Sequence, residues 1–139
     1  MNAPETRLAI IVDPSLPLGL IANTAATIGI GIGAVERGLG DIELTDVAGR
    51  AVKTSAIRPV PILQASAKEI VSLLLKALPA PDRAIVVPFP RFARSLHAFA
   101  DYRARFPQCD LASEPIDGLG LAGAEKWVRS LTGSLKLLR

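Results

Sequence analysis

The chain has few of the residues that build the commonest metal and redox sites. Its 139 residues include one cysteine, Cys109, and one histidine, His97. A single cysteine excludes an intramolecular disulfide and a cysteine-rich zinc site, and a single histidine excludes a multi-histidine metal site. Aromatic residues make up only 4% of the chain, and Tyr102 and Trp127 are too isolated to form a base-stacking platform. We therefore predict no metal and no cofactor.

Charge of either sign is also modest. The chain carries 16 basic and 13 acidic side chains, a net charge of +3 that leaves nucleic-acid binding open without implying it. Residues 79–139 hold the whole excess, and a solvated surface explains it better than a dedicated anion site. Half the residues are hydrophobic, which excludes a disordered chain, and the length fits one domain, 1–139.

One uncharged segment raises the question of a membrane. Residues 16–35 are long enough to span a bilayer, but they include Pro17 and four glycines. They follow Asp13 rather than a basic region, so they make a poor signal peptide. We interpret the segment as a buried helix of an α/β domain and predict a cytoplasmic protein with no membrane role.

Strand-like and helix-like segments alternate along the chain. Short runs of branched apolar residues predict buried strands, and Ser66 with Glu69 forms a capping box before an apolar stripe. The alternation predicts an α/β fold, a three-layer α/β/α sandwich around a mixed sheet. The predicted strands are 7–13, 41–45, 50–54, 57–63 (an edge strand), 83–88 and 116–123, and the predicted helices are 20–37, 66–78, 91–105 and 124–131.

Closely spaced glycines lie in the first predicted helix. Residues 29–33 read Gly-Ile-Gly-Ile-Gly, but they lie too far beyond the first strand for a dinucleotide-binding loop. We favour a packing role, in which Ala22, Ala25 or Ala26, Gly29 and Gly33 form a small-residue face that sits close to the sheet.

The titratable residues do not assemble into a recognisable catalytic motif. His97 has Asp101 four residues further on, which is typical of a surface pair on a helix. Cys109 lies in a polar segment without an adjacent base, so we interpret it as an incidental thiol. The catalytic residues, if the protein is an enzyme, stay unassigned.

Strand ends give the best candidate site. Ligands in open α/β sheets bind outside the carboxyl ends of the strands. Residues 13–19 follow the first strand, residues 89–91 follow the second buried strand, and the first helical turn offers free amides. A purely structural edge is the alternative. The predicted ligand-binding residues are Asp13, Leu18, Gly19, Asn23 and Arg91.

Three segments together resemble a known family. They are residues 8–34, residues 58–63 before a helix, and the ending 131–139 (LTGSLKLLR). They resemble the bacterial domain-of-unknown-function family numbered two thousand. The resemblance implies a fold like that of type II peptidyl-tRNA hydrolase, with about four central strands. Where that hydrolase carries a lysine after its first strand, this chain reads Leu-Pro-Leu-Gly-Leu at 16–20, and its first lysine is Lys53.

Three functions follow from these observations. We expect a small-molecule or anionic ligand at the strand ends. One alternative is a peptidyl-tRNA hydrolase-like or other ester hydrolase. The other is a homo-oligomeric interaction module, a homodimer in which the small-residue helix and the tail residues Leu135, Leu137 and Leu138 meet a second copy.

Overall fold

The computed structural model describes residues 6–139, which fold as a mixed α/β protein. Short 3-10 helices at Arg37–Leu39, Arg91–Ser95 and Phe106–Gln108 connect some of the longer elements. In chain order the strands and α-helices are β1 (Thr6–Val12), α1 (Leu18–Val35), β2 (Glu43–Thr45), β3 (Ala51–Lys53), β4 (Ile62–Gln64), α2 (Ala67–Ala77), β5 (Ile85–Pro90), α3 (Phe99–Arg105), β6 (Ile116–Ala124), α4 (Glu125–Thr132) and β7 (Lys136–Leu137).

A mixed five-stranded sheet in the order β5-β6-β1-β4-β7 forms the centre, one strand more than expected. Strand β4 is parallel to β1, and β6 is antiparallel to both β1 and β5. Strands β1, β4 and β5 therefore point the same way, and their carboxyl ends meet where β6 begins. Strands β2 and β3 form a separate hairpin.

Strand β1 is buried on both faces, as its continuous apolar run predicts. Leu8, Ile10 and Val12 pack on the side of α1, whereas Ala9 and Ile11 pack on the side of α2 and α4. Helices therefore cover both faces of the sheet, and the three-layer arrangement is confirmed. The second central strand, β6, is predicted over 116–123 and spans nine residues, and it pairs on both sides.

Helix α1 is less buried than predicted. Its length and composition would allow it to cross a membrane, but only a minority of its residues are buried inside the protein. A Cβ added at Gly29 or Gly33 would meet no atom within 4 Å, so the small-residue face does not pack on the sheet. That prediction is wrong, because the helix turns a different face inward. The buried residues are Ile21, Thr24, Ile28 and Ile32.

The close approach of α1 to the sheet comes from glycines of β6 instead. A Cβ at Gly118 would lie 2.5 Å from Cγ2 of Thr24, and one at Gly120 would lie 2.2 Å from Cγ2 of Ile28. The missing side chains leave a channel along the sheet that the branched residues of the helix fill. At this contact the small residues lie in the strand and the large residues lie in the helix, which is the reverse of the prediction.

Helix α2 begins as predicted. Oγ of Ser66 accepts a hydrogen bond from the amide of Glu69 at 3.2 Å, which satisfies one of the free amides of the first turn. Ile70, Leu74 and Ala77 then lie fully within the core on the opposite face from α1. The capping residue and the apolar spacing together explain this helix from local sequence.

The C-terminal tail packs on its own domain. Strand β7 pairs with β4, and Leu135 and Leu138 contact the two sides of the core. Leu137 alone of the three tail leucines is exposed. Two of the three leucines therefore pack against the core of their own chain, and the contact of the tail with a second copy stays a prediction.

The predicted helix at 91–105 is interrupted. Residues Arg91–Ser95 form a 3-10 helix, residues 96–98 are not helical, and α3 follows. A 3-10 turn of three residues places Arg91 and Arg94 on the same side, where both contact one carboxylate. His97 falls in the interruption and is exposed.

Candidate functional site

One edge of the sheet gathers charged side chains from three elements. We call it the rim and define it by residues 13–20 after β1, 90–94 after β5 and 114–117 at the start of β6. The amide of Asp13 donates to the carbonyl of Asp117 at 3.4 Å, and the amide of Arg91 donates to the carbonyl of Pro115 at 2.8 Å. These backbone bonds tie the three segments together, so the side chains that they carry are held at fixed positions.

Asp117 is the buried centre of the rim. Its side chain is 1% exposed, and its two carboxylate oxygens accept from Nε of Arg94 at 2.5 Å and from Nε of Arg91 at 3.4 Å. A carboxylate this deeply buried needs such partners because removing an unpaired charge from water is costly. Asp117 is not among the predicted ligand-binding residues. Its signal was that it is the only charged residue in the apolar, glycine-rich run 116–124.

The two arginines that hold Asp117 differ in exposure. The side chain of Arg94 is 27% exposed, and its Nη2 is buried without a hydrogen-bond partner among the described residues. The side chain of Arg91 is 47% exposed. A guanidinium carries five N–H donors in a planar fork, so an Arg91 bound through Nε retains its outer edge for a carboxylate or phosphate.

The first turn of α1 adds free amides to the rim. The amide of Ile21 is the first to bond within the helix, to the carbonyl of Pro17 at 3.0 Å, so the amides of Leu18, Gly19 and Leu20 precede the regular bonding pattern. Among residues 6–139 no side chain caps this end, and its first turn contains no acidic residue. The positive end of the helix dipole therefore has no acidic partner within the helix itself. Leu18 itself is 81% exposed.

Asp13 shapes the turn that leads to this helix. Its Oδ1 accepts from the amide of Ser15 at 2.9 Å and from the Ser15 hydroxyl at 2.7 Å, and the residue is 9% exposed. These bonds give Asp13 a structural role at the rim. Its predicted contact with a ligand stays a prediction, as do those of Leu18, Gly19 and Asn23.

A pocket of about 280 Å³ opens beside the rim, between α1, the end of β5 and α3. We call it the α1–α3 pocket. Asn23, which is exposed, lies one helical turn before it, because its carbonyl accepts from the hydroxyl of the pocket residue Thr27. The lining residues are Thr27, Ile28, Val87, Pro88, Phe89, Ala93, Leu96, Ala98, Phe99 and Tyr102.

Aromatic rings form one wall of the α1–α3 pocket. The rings of Phe99 and Tyr102 stack at 6.0 Å with an interplanar angle of 20°, and Phe92 packs against Tyr102 from within. Burial raises the pKa of the Tyr102 phenol above its ordinary value, so the hydroxyl keeps its proton at neutral pH. Phe99 is 72% exposed, which leaves this wall open to solvent.

A larger groove, of about 830 Å³, lies away from the rim. It runs between α1 and the segment 54–60, and Leu8 and Ile10 form its floor. None of the five predicted ligand-binding residues lines it. The groove is mainly apolar, and its charged lining residues are Glu36, Arg37 and Asp41, so two carboxylates accompany its one guanidinium.

The remaining titratable candidates show no catalytic arrangement. Burial and the Glu114 carboxylate raise the pKa of Cys109, so the thiol stays protonated at neutral pH, as an incidental cysteine would. Across residues 6–139, no three His, Cys, Asp or Glu side chains group together as a metal site requires. The absence of metal and cofactor stays a prediction.

Comparison with known proteins supports the fold and adds no activity. One similar solved structure is a protein of unknown function, Atu0240, from Agrobacterium tumefaciens strain C58, with a TM-score of 0.86. The two chains are 19% identical, and the match covers 95% of this chain and 96% of that one. At this identity the likeness shows the fold alone. No curated protein matches the chain.

The family comparison covers nearly the whole sequence. Residues 6–139 match the family described as "Protein of unknown function (DUF2000)", which is the family expected from the three segments quoted above. The likeness of its fold to type II peptidyl-tRNA hydrolase stays a prediction. The chain belongs to the DUF2000 family.

Proposed function

We propose that this protein binds a small anionic ligand at the rim, with Arg91 as its principal contact. The observation that carries the proposal is the half-exposed Arg91 guanidinium, fixed from behind by the buried Asp117 carboxylate. Side chains held in place before binding lose less conformational entropy when the ligand arrives. The fork of Arg91 is therefore prepared for a carboxylate or a phosphate.

The charges of the rim indicate where between its segments an anion would lie. Asp117 offsets one of the two guanidiniums, and the uncapped start of α1 adds a partial positive charge. Asp13 is the opposing negative charge, but Ser15 occupies one of its oxygens. We infer that the ligand lies between Arg91 and the amides of residues 18–20, and that Asp13 acts by shaping the turn.

Arg91→Ala is expected to weaken the binding of inorganic phosphate at least about tenfold, because a charge-assisted bidentate contact is lost. The matched control is Arg129→Ala. Arg129 is an exposed arginine of α4, which begins at the opposite edge of the sheet. The affinity of each protein for phosphate is measured by titration under NMR observation at fixed ionic strength.

An equal loss of affinity in both variants would mean that phosphate responds to net charge alone. Wild-type protein that shows no saturable phosphate binding would likewise contradict the proposal. Circular dichroism of the Arg91→Ala protein confirms that the comparison concerns folded chains.

A second candidate, homodimerisation, is favoured by the outer face of α1. On this face Ile30 is 74% exposed beside the exposed Ala22, Ala26 and Ala34, and the helix carries no charged side chain. Exposed apolar faces of this kind are typical of interfaces, and a two-fold axis would place the same uncharged face on both sides.

We expect a dimer in sedimentation-equilibrium experiments and a monomer for Ile30→Lys, because a charge in an apolar interface is unpaired. Wild-type monomers at high concentration would contradict this candidate, and binding to neutral lipid vesicles would assign the face to a membrane instead. Val47→Lys, in the exposed hairpin, is the control.

The remaining expectations stay predictions. Nothing in the geometry favours ester or peptidyl-tRNA hydrolysis over binding alone. A cytoplasmic location in a bacterial cell is likewise a proposal that rests on the sequence.

A further inference from the structure

We infer that the ligand is an organic anion with a small aromatic body, whose body occupies the α1–α3 pocket while its anionic group meets Arg91. This inference rests on the proposed function, since it assigns the rest of the ligand to a second compartment of the same site. The observation behind it is that part of the pocket wall, Ala93 and Leu96, belongs to the same short segment after β5 as the two arginines.

The sequence spacing places the two compartments within reach of one small molecule. Ala93 and Leu96 line the pocket, and Arg91 lies two residues before Ala93 in the same 3-10 helix. At about 2.0 Å of rise per residue, Arg91 is about 4 Å along the axis from Ala93. With three residues per turn, Arg91 and Arg94 share one side, and the pocket residues lie on an adjacent side.

The chemistry of the lining specifies an apolar occupant. The walls are formed by Ile28, Val87 and Phe89 from the body of the domain and by the stacked rings of Phe99 and Tyr102. The Thr27 hydroxyl is already used by the carbonyl of Asn23. The Tyr102 phenol is the polar group that a ligand could meet, and its raised pKa keeps it neutral.

The size of the pocket limits that occupant. A volume of about 280 Å³ lies just below the range of pockets that bind drug-sized ligands. A single aromatic ring fits, and it can continue the stack begun by Phe99 and Tyr102, since offset rings attract one another at these separations. The 72% exposure of Phe99 gives the ring an entry path.

The test compares phenyl phosphate with methyl phosphate, because the two probes carry the same anionic group and differ in the apolar body. Wild-type protein is expected to bind phenyl phosphate at least about tenfold more tightly than methyl phosphate. Phe99→Ala is expected to remove most of this preference and to leave methyl phosphate binding unchanged. Leu75→Ala, a partly exposed leucine of α2 on the other face of the sheet, is the control.

Each outcome separates this inference from the proposed function. Equal affinity for the two probes in wild-type protein, with both lost in Arg91→Ala, would overturn the aromatic compartment and keep the anion site. A preference unchanged by Phe99→Ala would overturn the location in the α1–α3 pocket. No binding of either probe would overturn both proposals. Since Phe99 is largely exposed, its truncation leaves a folded protein, which circular dichroism verifies.

Discussion

Substitution of Gly120 by valine is expected to lower the free energy of unfolding by about 3 kcal/mol or more, because overpacking a tight contact forces the backbone to move. The Cβ alone would lie 2.2 Å from Cγ2 of Ile28 and 2.9 Å from Cδ1 of Ile32. Both neighbours are fully buried branched residues of α1, so they have no free space to enter. Urea unfolding of the two proteins measures the difference.

The matched substitution is Gly29→Ala, within α1 itself. A Cβ there meets nothing within 4 Å, and alanine is favoured over glycine in a helix interior by about 0.5–1 kcal/mol. The alanine variant is therefore expected to be more stable than wild type. If Gly29→Ala lowered the free energy of unfolding and Gly120→Val left it unchanged, the small-residue face would be the packing surface of α1 after all.

Asp117→Asn is expected to lower the free energy of unfolding by about 2–3 kcal/mol, because hydrogen bonds to a charged group contribute roughly this much. The amide keeps the shape of the side chain but removes the charge that holds Arg91 and Arg94 side by side. Phosphate affinity is expected to fall as well, since Arg91 loses its fixed position. Asp82→Asn, at an exposed position between α2 and β5, is the control.

A double variant tests whether Arg94 and Asp117 contribute to stability as a pair. Arg94→Gln added to Asp117→Asn removes the partly buried charge that the first change leaves unpaired, so part of the lost stability should return. Additive losses in urea unfolding would indicate that Arg94 and Asp117 contribute independently, which contradicts the contact between them.

Local sequence patterns predicted those elements whose signal lies within one short segment of the chain. The branched run of β1 and the Ser66 capping box predicted β1 and the start of α2, and the bounds of α1 were two residues away at each end. The burial of α1 could not be predicted in the same way. Periodicity shows which residues of a helix share a face, but the glycines that select the packed face, Gly118 and Gly120, lie in a strand far along the chain.

The candidate site was only partly predictable for the same reason. Sheet topology brings Asp13 and Arg91 to one edge, as the strand-end rule indicates. Asp117 lies 23 residues from Arg94, and their pairing exists only because β6 runs back between β1 and β5. The α1–α3 pocket draws its walls from α1, β5, the 3-10 helix Arg91–Ser95 and α3, so no single segment of sequence carries its signature.

Chemical-shift mapping of inorganic phosphate on the wild-type protein is the direct test of an anion site at the rim. We expect saturable shifts of the amides of Leu18, Gly19, Leu20 and Arg91, with little change in α4. Shifts confined to the groove between α1 and residues 54–60, or spread over exposed lysines and arginines without saturation, would contradict an anion site at the rim.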